Sequence, residues 1–266
     1  MYGTPRHPIN WAIRPEPTAI SRVAKSLYPF AKSQKLPGSL RKITVHCLRM
    51  VVLRYLIVMA KIDKSQVLRE INEDIAGCDR CRALPGVGDI PVFPRGNTDA
   101  LAMLVGEGPG EQEERQQKPF VGSAGRLLEE TLKGFGFNVE RDFYITNVVK
   151  YRSFTLRPPG RKVNKPPTVK QMNTEREFLE REIAMVKPKL IVALGAKASQ
   201  WFLGKDFKLT QERGEFYNWH GITILPTYHP AAILRARAIG DGEERIRDFK
   251  QDLQKIKEII KPSIAA

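Results

Sequence analysis

Cysteine is scarce in this chain: Cys47, Cys78 and Cys81 are the only three in 266 residues. They supply one C-x-x-C pair, Cys78-Asp79-Arg80-Cys81, a spacing used for metal or cluster ligation and for thiol exchange. One pair alone does not choose between these. Long apolar runs are also lacking. The stretch MVVLRYLIVM at residues 50–59 is interrupted by Arg54 and reaches about half the length of a membrane-spanning helix. No small-residue cleavage site follows an apolar run near the terminus, so a cytoplasmic protein is expected. The chain has no G-x-G-x-x-G, which argues against a dinucleotide site. Acids are outnumbered, 29 against 44 Lys and Arg, for a net charge of +15. Such a surplus favours a polyanionic partner, nucleic acid or an anionic membrane, although a merely soluble basic protein would carry it too.

The surplus is concentrated at the front. Residues 1–60 hold ten Lys or Arg against one acid, Glu16, and include Pro5, Pro8, Pro15, Pro17, Pro29 and Pro37. Little packed structure is expected before about Arg41. Two readings stay open: a basic arm that tethers nucleic acid, or an artefact of start-codon choice, since Met50 and Met59 both lie downstream. The expected organisation is a poorly ordered extension over residues 1–60 and one domain over residues 61–266, whose 42% hydrophobic content suffices for a single α/β core.

What is present is a buried strand that ends in bare backbone. Residues 101–105 run without charge into Gly106-Glu107-Gly108-Pro109-Gly110. A second turn, Phe120-Val121-Gly122-Ser123-Ala124-Gly125, opens a helix. Two glycine turns bracketing a charged loop form a pocket floor at the carboxyl end of a parallel strand, where open α/β sheets place ligands. Further strands are expected over residues 143–149, 190–194 and 222–225. Helices are expected over 65–76, 125–133, 168–186 and 243–260 from their apolar spacing. Residues 153–167, basic and proline-rich, read as a loop that is either solvated or in contact with phosphate.

The segment GEGPGEQEERQQKPFVGSAGRLL (106–128) resembles the first motif of family 4 uracil-DNA glycosylases. TYHPAAILR (227–235) resembles the last motif of that superfamily, and ITNVVKYR (145–152) and KPKLIVALGAKA (187–198) fit between them in order. The resemblance covers roughly residues 71–260. It implies a three-layer α/β/α sandwich with a mostly parallel sheet of about four strands, and hydrolysis of the N-glycosidic bond of deoxyuridine in DNA during base excision repair. Carried onto matching positions, it makes Glu107 the residue that orients or deprotonates water and His229 a donor toward uracil O2. Phe120 becomes the stacking platform, Asn147 the reader of the uracil edge, and Gly108 and Glu113 substrate contacts, Glu113 bordering C5. A carboxamide suits that reading role because uracil offers an N3–H donor beside the O4 acceptor, and cytosine reverses the pair. Leu234 and Arg235 would fill the gap left by a flipped base and grip phosphate, with Lys162 and Lys165 on the same backbone.

Family 4 enzymes hold a 4Fe-4S cluster with this C-x-x-C and two later cysteines; here Tyr151 and Glu175 stand at those two positions. Loss of the cluster is therefore expected, with Cys78 and Cys81 as remnants and no cofactor; a degenerate site with an oxygen ligand would suit iron–sulfur chemistry poorly. The 153–167 segment also resembles that of a related subfamily that traps uracil-DNA covalently through a histidine. Asn164 occupies that position, and an amide is a poor nucleophile, so hydrolytic turnover is expected. The expected partner is uracil-containing DNA, with no membrane, a monomeric state, and a sliding clamp left open. The alternatives are a catalytically weakened uracil-DNA-binding module and an unrelated nucleotide-binding α/β enzyme.

Overall fold

The computed structural model describes residues 63–240 and 242–261; the expectations for residues 1–60 lie outside them. In chain order the elements are α1 (Lys64–Ala76), α2 (Asp79–Arg82), β1 (Val87–Pro91), β2 (Arg95–Gly96), β3 (Ala102–Gly106), α3 (Glu111–Gln116) and α4 (Ser123–Gly134). Then come α5 (Val139–Asp142), β4 (Phe143–Asn147), β5 (Tyr151–Arg157), β6 (Arg161–Asn164), α6 (Val169–Thr174), α7 (Arg176–Val186) and β7 (Leu190–Leu194). The chain closes with α8 (Ala196–Leu203), α9 (Leu209–Glu212), β8 (Tyr217–Trp219), β9 (Ile222–Thr227), α10 (Pro230–Ala238), α11 (Gly242–Gln254) and α12 (Ile256–Ile259).

Six strands form one sheet in the order β2-β4-β3-β7-β9-β8. The inner four are parallel and the two edges antiparallel. The sequences AMLVG and LIVAL of β3 and β7 are uniformly apolar because helices cover both faces. Met103, Val105, Ile191 and Ala193 meet Ile71 and Ile75 of α1, Leu179 and Ile183 of α7 and Ala198 of α8. Ala102, Leu104, Leu190 and Val192 meet Leu128 and Leu132 of α4, Ile233 of α10 and Phe249 and Leu253 of α11. Each buried Val, Leu, Ile, Met or Phe side chain among these contributes about 1.5–3 kcal/mol. From β3 the chain steps to β4 on one side and afterwards to β7 and β9 on the other, so strand order reverses at β3. The crevice at that reversal is where an open α/β sheet receives a ligand.

Several expectations are corrected. The four expected strands are the parallel core of the sheet, and two short edge strands that were not expected, β2 and β8, flank it. Residues 153–167 are not a loop. They form most of a hairpin, β5 and β6, paired from Phe154↔Asn164 to Arg157↔Arg161 and joined by β1 in a separate three-stranded sheet. The charged loop after Gly110 contains α3. The helix over 168–186 breaks at Glu175, and the one over 243–260 breaks at Lys255.

Candidate active site

Four strand ends build the site. At the end of β3, Gly106 leaves room that no other residue would: a Cβ there would lie 2.3 Å from Asn147 Oδ1 and 2.6 Å from Phe120 Cζ. The carboxamide at the end of β4 and the edge of the Phe120 ring thus meet over bare backbone. Phe120 is buried and has a positive φ of 56°, a conformation that costs free energy in a non-glycine residue and persists where its surroundings hold it. Two features hold it. Gly125, in the first turn of α4, would place a Cβ 1.8 Å from the Phe120 carbonyl oxygen, and Arg95 of β2 donates to the Pro119 carbonyl at 2.9 Å.

Glu107 follows β3 and crosses to the amino end of α8, where its Oε1 accepts from the Lys197 backbone N–H at 3.0 Å. Burial pushes the Glu107 carboxyl above the usual carboxylate range, against that amide and the charges of Lys197 and Arg235. Gly195, with φ 100°, allows the approach: a Cβ there would lie 2.5 Å from Glu107 Oε1 and 3.0 Å from His229 Cβ. The carboxylate of Glu107 and the Cβ of His229 therefore flank the same glycine at the end of β7.

His229 caps α10, its Nδ1 accepting from the Ala231 N–H at 3.1 Å with Pro230 at the first helical position. An accepting Nδ1 places the proton of the neutral ring on Nε2. Burial, and then the positive charge of Arg235, lower the imidazole pKa to about 4. The Phe120 and His229 rings lie nearly parallel, 5.9 Å apart at an angle of 25°.

These groups open into a cavity of about 1010 Å³ that also takes in Gly108, Glu113, Asn164, Lys165, Tyr228 and Arg235. Glu113 Oε1 accepts from the Gly122 N–H at 3.2 Å, tying α3 to the second glycine turn. Asn164 Oδ1 accepts from Arg152 Nε at 2.7 Å, and Arg152 also donates to Glu114 at 3.0 Å. That fixes the orientation of the Asn164 amide, whose Nδ2 faces Gly110. Lys162 and Leu234 do not line the cavity: Lys162 sits over the Phe154 ring at 4.5 Å, and Leu234 lies on α10 beside Arg235. Arg152 and Glu114, both buried, escaped the sequence reading; a Lys-Tyr-Arg interruption at the end of an apolar run was the available signal.

The expected remnants of a cluster cage form no ligand set. Cys78 and Cys81 are joined to each other by a disulfide. The Tyr151 hydroxyl donates to the Ile75 carbonyl. The Glu175 carboxylate accepts from the backbone N–H groups of Lys150 and Tyr151 and from Gln171 Nε2. Burial lifts its pKa to about 7, against the Gln171 and backbone hydrogen bonds. Among the described residues no group of three or more His, Cys, Asp or Glu side chains is arranged to hold a metal ion. Two oxygens already engaged in hydrogen bonds and two bridged sulfurs do not fit a four-thiolate cluster.

A buried carboxylate and a histidine thus lie at the switch point of the sheet. The chain belongs to the uracil DNA glycosylase superfamily, whose profile matches residues 93–254. It is 36% identical over 200 residues to the type-4 uracil-DNA glycosylase of Thermotoga maritima, covering 74% of this chain and 97% of the relative. It is 34% identical to the type-4 enzyme of Sulfurisphaera tokodaii, covering 72% and 84%. The type-5 uracil-DNA glycosylase of Pyrobaculum aerophilum is 28% identical over 54% of this chain and 66% of its own length.

Proposed function

We propose that the chain is a monofunctional uracil-DNA glycosylase that hydrolyses the N-glycosidic bond of deoxyuridine in DNA. The observation that carries this reading is the convergence of Glu107 and His229 on Gly195, beside an amide and an aromatic ring seated over Gly106, around one cavity. Uracil leaves the base stack, because its glycosidic bond is inaccessible within a duplex. It lies against Phe120, and the Asn147 carboxamide pairs with N3–H and O4. A base with reversed donors would leave buried polar groups unpaired, at about 1–3 kcal/mol each.

As the C1′–N1 bond breaks, its electron pair passes to uracil, and the His229 Nε2–H donates toward O2 to stabilise the anion. The Glu107 carboxylate orients water on the opposite side, offsets the positive charge of the sugar, and takes the water proton as oxygen bonds to C1′. Gly108 and Glu113 border the base. Asn164, an amide held by Arg152, gives no covalent adduct.

Lys162, Lys165, Leu234 and Arg235 are assigned to the DNA backbone and the vacated stack. Replacing Lys165 and Arg235 together by Ala is expected to weaken binding on all sequences alike and to lower the salt slope of log K by roughly 1 per residue. Titration of a labelled uracil strand at several salt concentrations checks this.

No cluster is required in this reading, because the Glu175, Gln171 and Tyr151 hydrogen bonds join α1, β5 and the α6–α7 junction. Protein purified anaerobically is expected to be colourless and free of bound iron, and to make a strand carrying one uracil labile to alkali at that position. An intact strand retained in a native gel would instead support a binding module, and stoichiometric iron would overturn the cluster-free reading.

A further inference from the structure

Five residues, Thr146 to Lys150, carry the base-reading amide out of β4, and the least expected of them is Lys150. It is 1% exposed and pairs with Glu182 of α7, which is 0% exposed. Its Nζ donates to Glu182 at 2.9 Å, to Thr146 Oγ1 at 2.6 Å and to the Asn147 carbonyl at 2.8 Å. A turn from Asn147 would ordinarily close with the Lys150 backbone N–H on that carbonyl. Here the N–H is diverted to Glu175, and the side-chain ammonium takes its place. Glu175 and Glu182, seven residues apart on one side of the helical pair, thus hold the backbone and the side chain of the same lysine. On the neighbouring strand, Val148 N–H donates to the Gly106 carbonyl at 2.8 Å, so the segment is fixed against the backbone that seats Phe120 and precedes Glu107.

A buried ion pair is a poor device for stability, because desolvation of both charges offsets their attraction, and apolar residues of similar volume often serve as well. Its three-way bonding specifies geometry instead. We propose that the Lys150–Glu182 pair is a positioning device for base recognition, setting the direction in which Asn147 presents its carboxamide. This rests on the glycosylase reading above. Neither side chain lines the cavity, so their effect passes through Asn147.

The test compares single-turnover uracil release and KM in the wild type, Lys150→Met with Glu182→Leu, Asn147→Ala, and the triple variant. The pair is replaced together because either single change leaves a buried unpaired charge. The double variant is expected to unfold at a urea concentration equal to or above that of the wild type. Its rate at saturation is expected to be at least tenfold lower, with KM within about threefold, since a base held out of line with the reacting groups costs rate more than binding. Because the pair acts through Asn147, the triple variant is expected to be no slower than Asn147→Ala alone. Release by the double variant within twofold of the wild type, or a defect that multiplies with that of Asn147→Ala, overturns the proposal. Should the double variant not fold, Thr146→Val removes one acceptor of Lys150 Nζ and is expected to lower the same rate at least threefold, an unchanged rate counting against the proposal. A wild type that releases no uracil removes both this inference and the reading on which it rests.

Discussion

Glu107→Gln is expected to lower the rate of uracil release by about 10²–10⁴-fold, the range attributable to a positioned general base. The substitution keeps the shape and retains an oxygen to accept the Lys197 N–H, which Glu107 Oε1 accepts at 3.0 Å. The fold and the amino end of α8 therefore stay in place. What disappears is the negative charge that faces the developing positive sugar and the basicity that removes the water proton. Because these act in the transition state, kcat should fall while KM changes little. Single-turnover gel assays of wild type and variant measure this directly. A loss smaller than about tenfold would mean that water is activated elsewhere, and the glutamates of α3 would be the next candidates.

How much of this was legible in the sequence follows from where each residue sits. The parallel strands announced themselves because sheets covered on both faces need unbroken apolar runs, as in β3 and β7. Glu107, Asn147 and His229 were expected at or just beyond the ends of such strands, and their roles came from the resemblance of the surrounding motifs to a family, not from the runs themselves. The hairpin of β5 and β6 was not. Its residues beyond Ser153 are mostly exposed or half-buried, so no alternation of apolar residues marks them, and the prolines at its turn read as loop. The break at Glu175 was hidden because the apolar stripe of Met172, Leu179 and Ile183 runs on across it.

Buried charge was the least legible feature. Lys150, Arg152, Glu114, Glu175 and Glu182 are all buried, whereas a charged residue in a sequence is by default assigned to solvent. Their burial is decided by partners up to 38 residues away, as for Arg152 and Glu114, and no local pattern encodes such pairing. The tyrosine and glutamate at the two expected cluster positions show the same limit. Their identity excluded a four-thiolate cage, but nothing local indicated that Glu175 would hold the backbone of β5.

His229→Ala is expected to cost about 10²–10³-fold in kcat, the usual effect of removing one donor aimed at developing negative charge. The pH dependence distinguishes its role from that of Glu107. With a pKa lowered to about 4, the imidazole stays neutral at every pH where the carboxylate of Glu107 is charged, and it acts as a neutral donor through Nε2. Glu107 is raised above the usual carboxylate range, so its basic form is lost as pH falls through that raised value, and activity falls with it by up to tenfold per pH unit. The profile of kcat/KM should then show one acid limb belonging to Glu107 and no limb near the ordinary histidine pKa. In Glu107→Gln the limb should vanish, leaving a low, flat rate until His229 itself is protonated. In His229→Ala it should remain, displaced downward. A limb near pH 6.5 that disappears with His229 but survives in Glu107→Gln would show that the imidazole titrates in the working range, and would reverse the two roles.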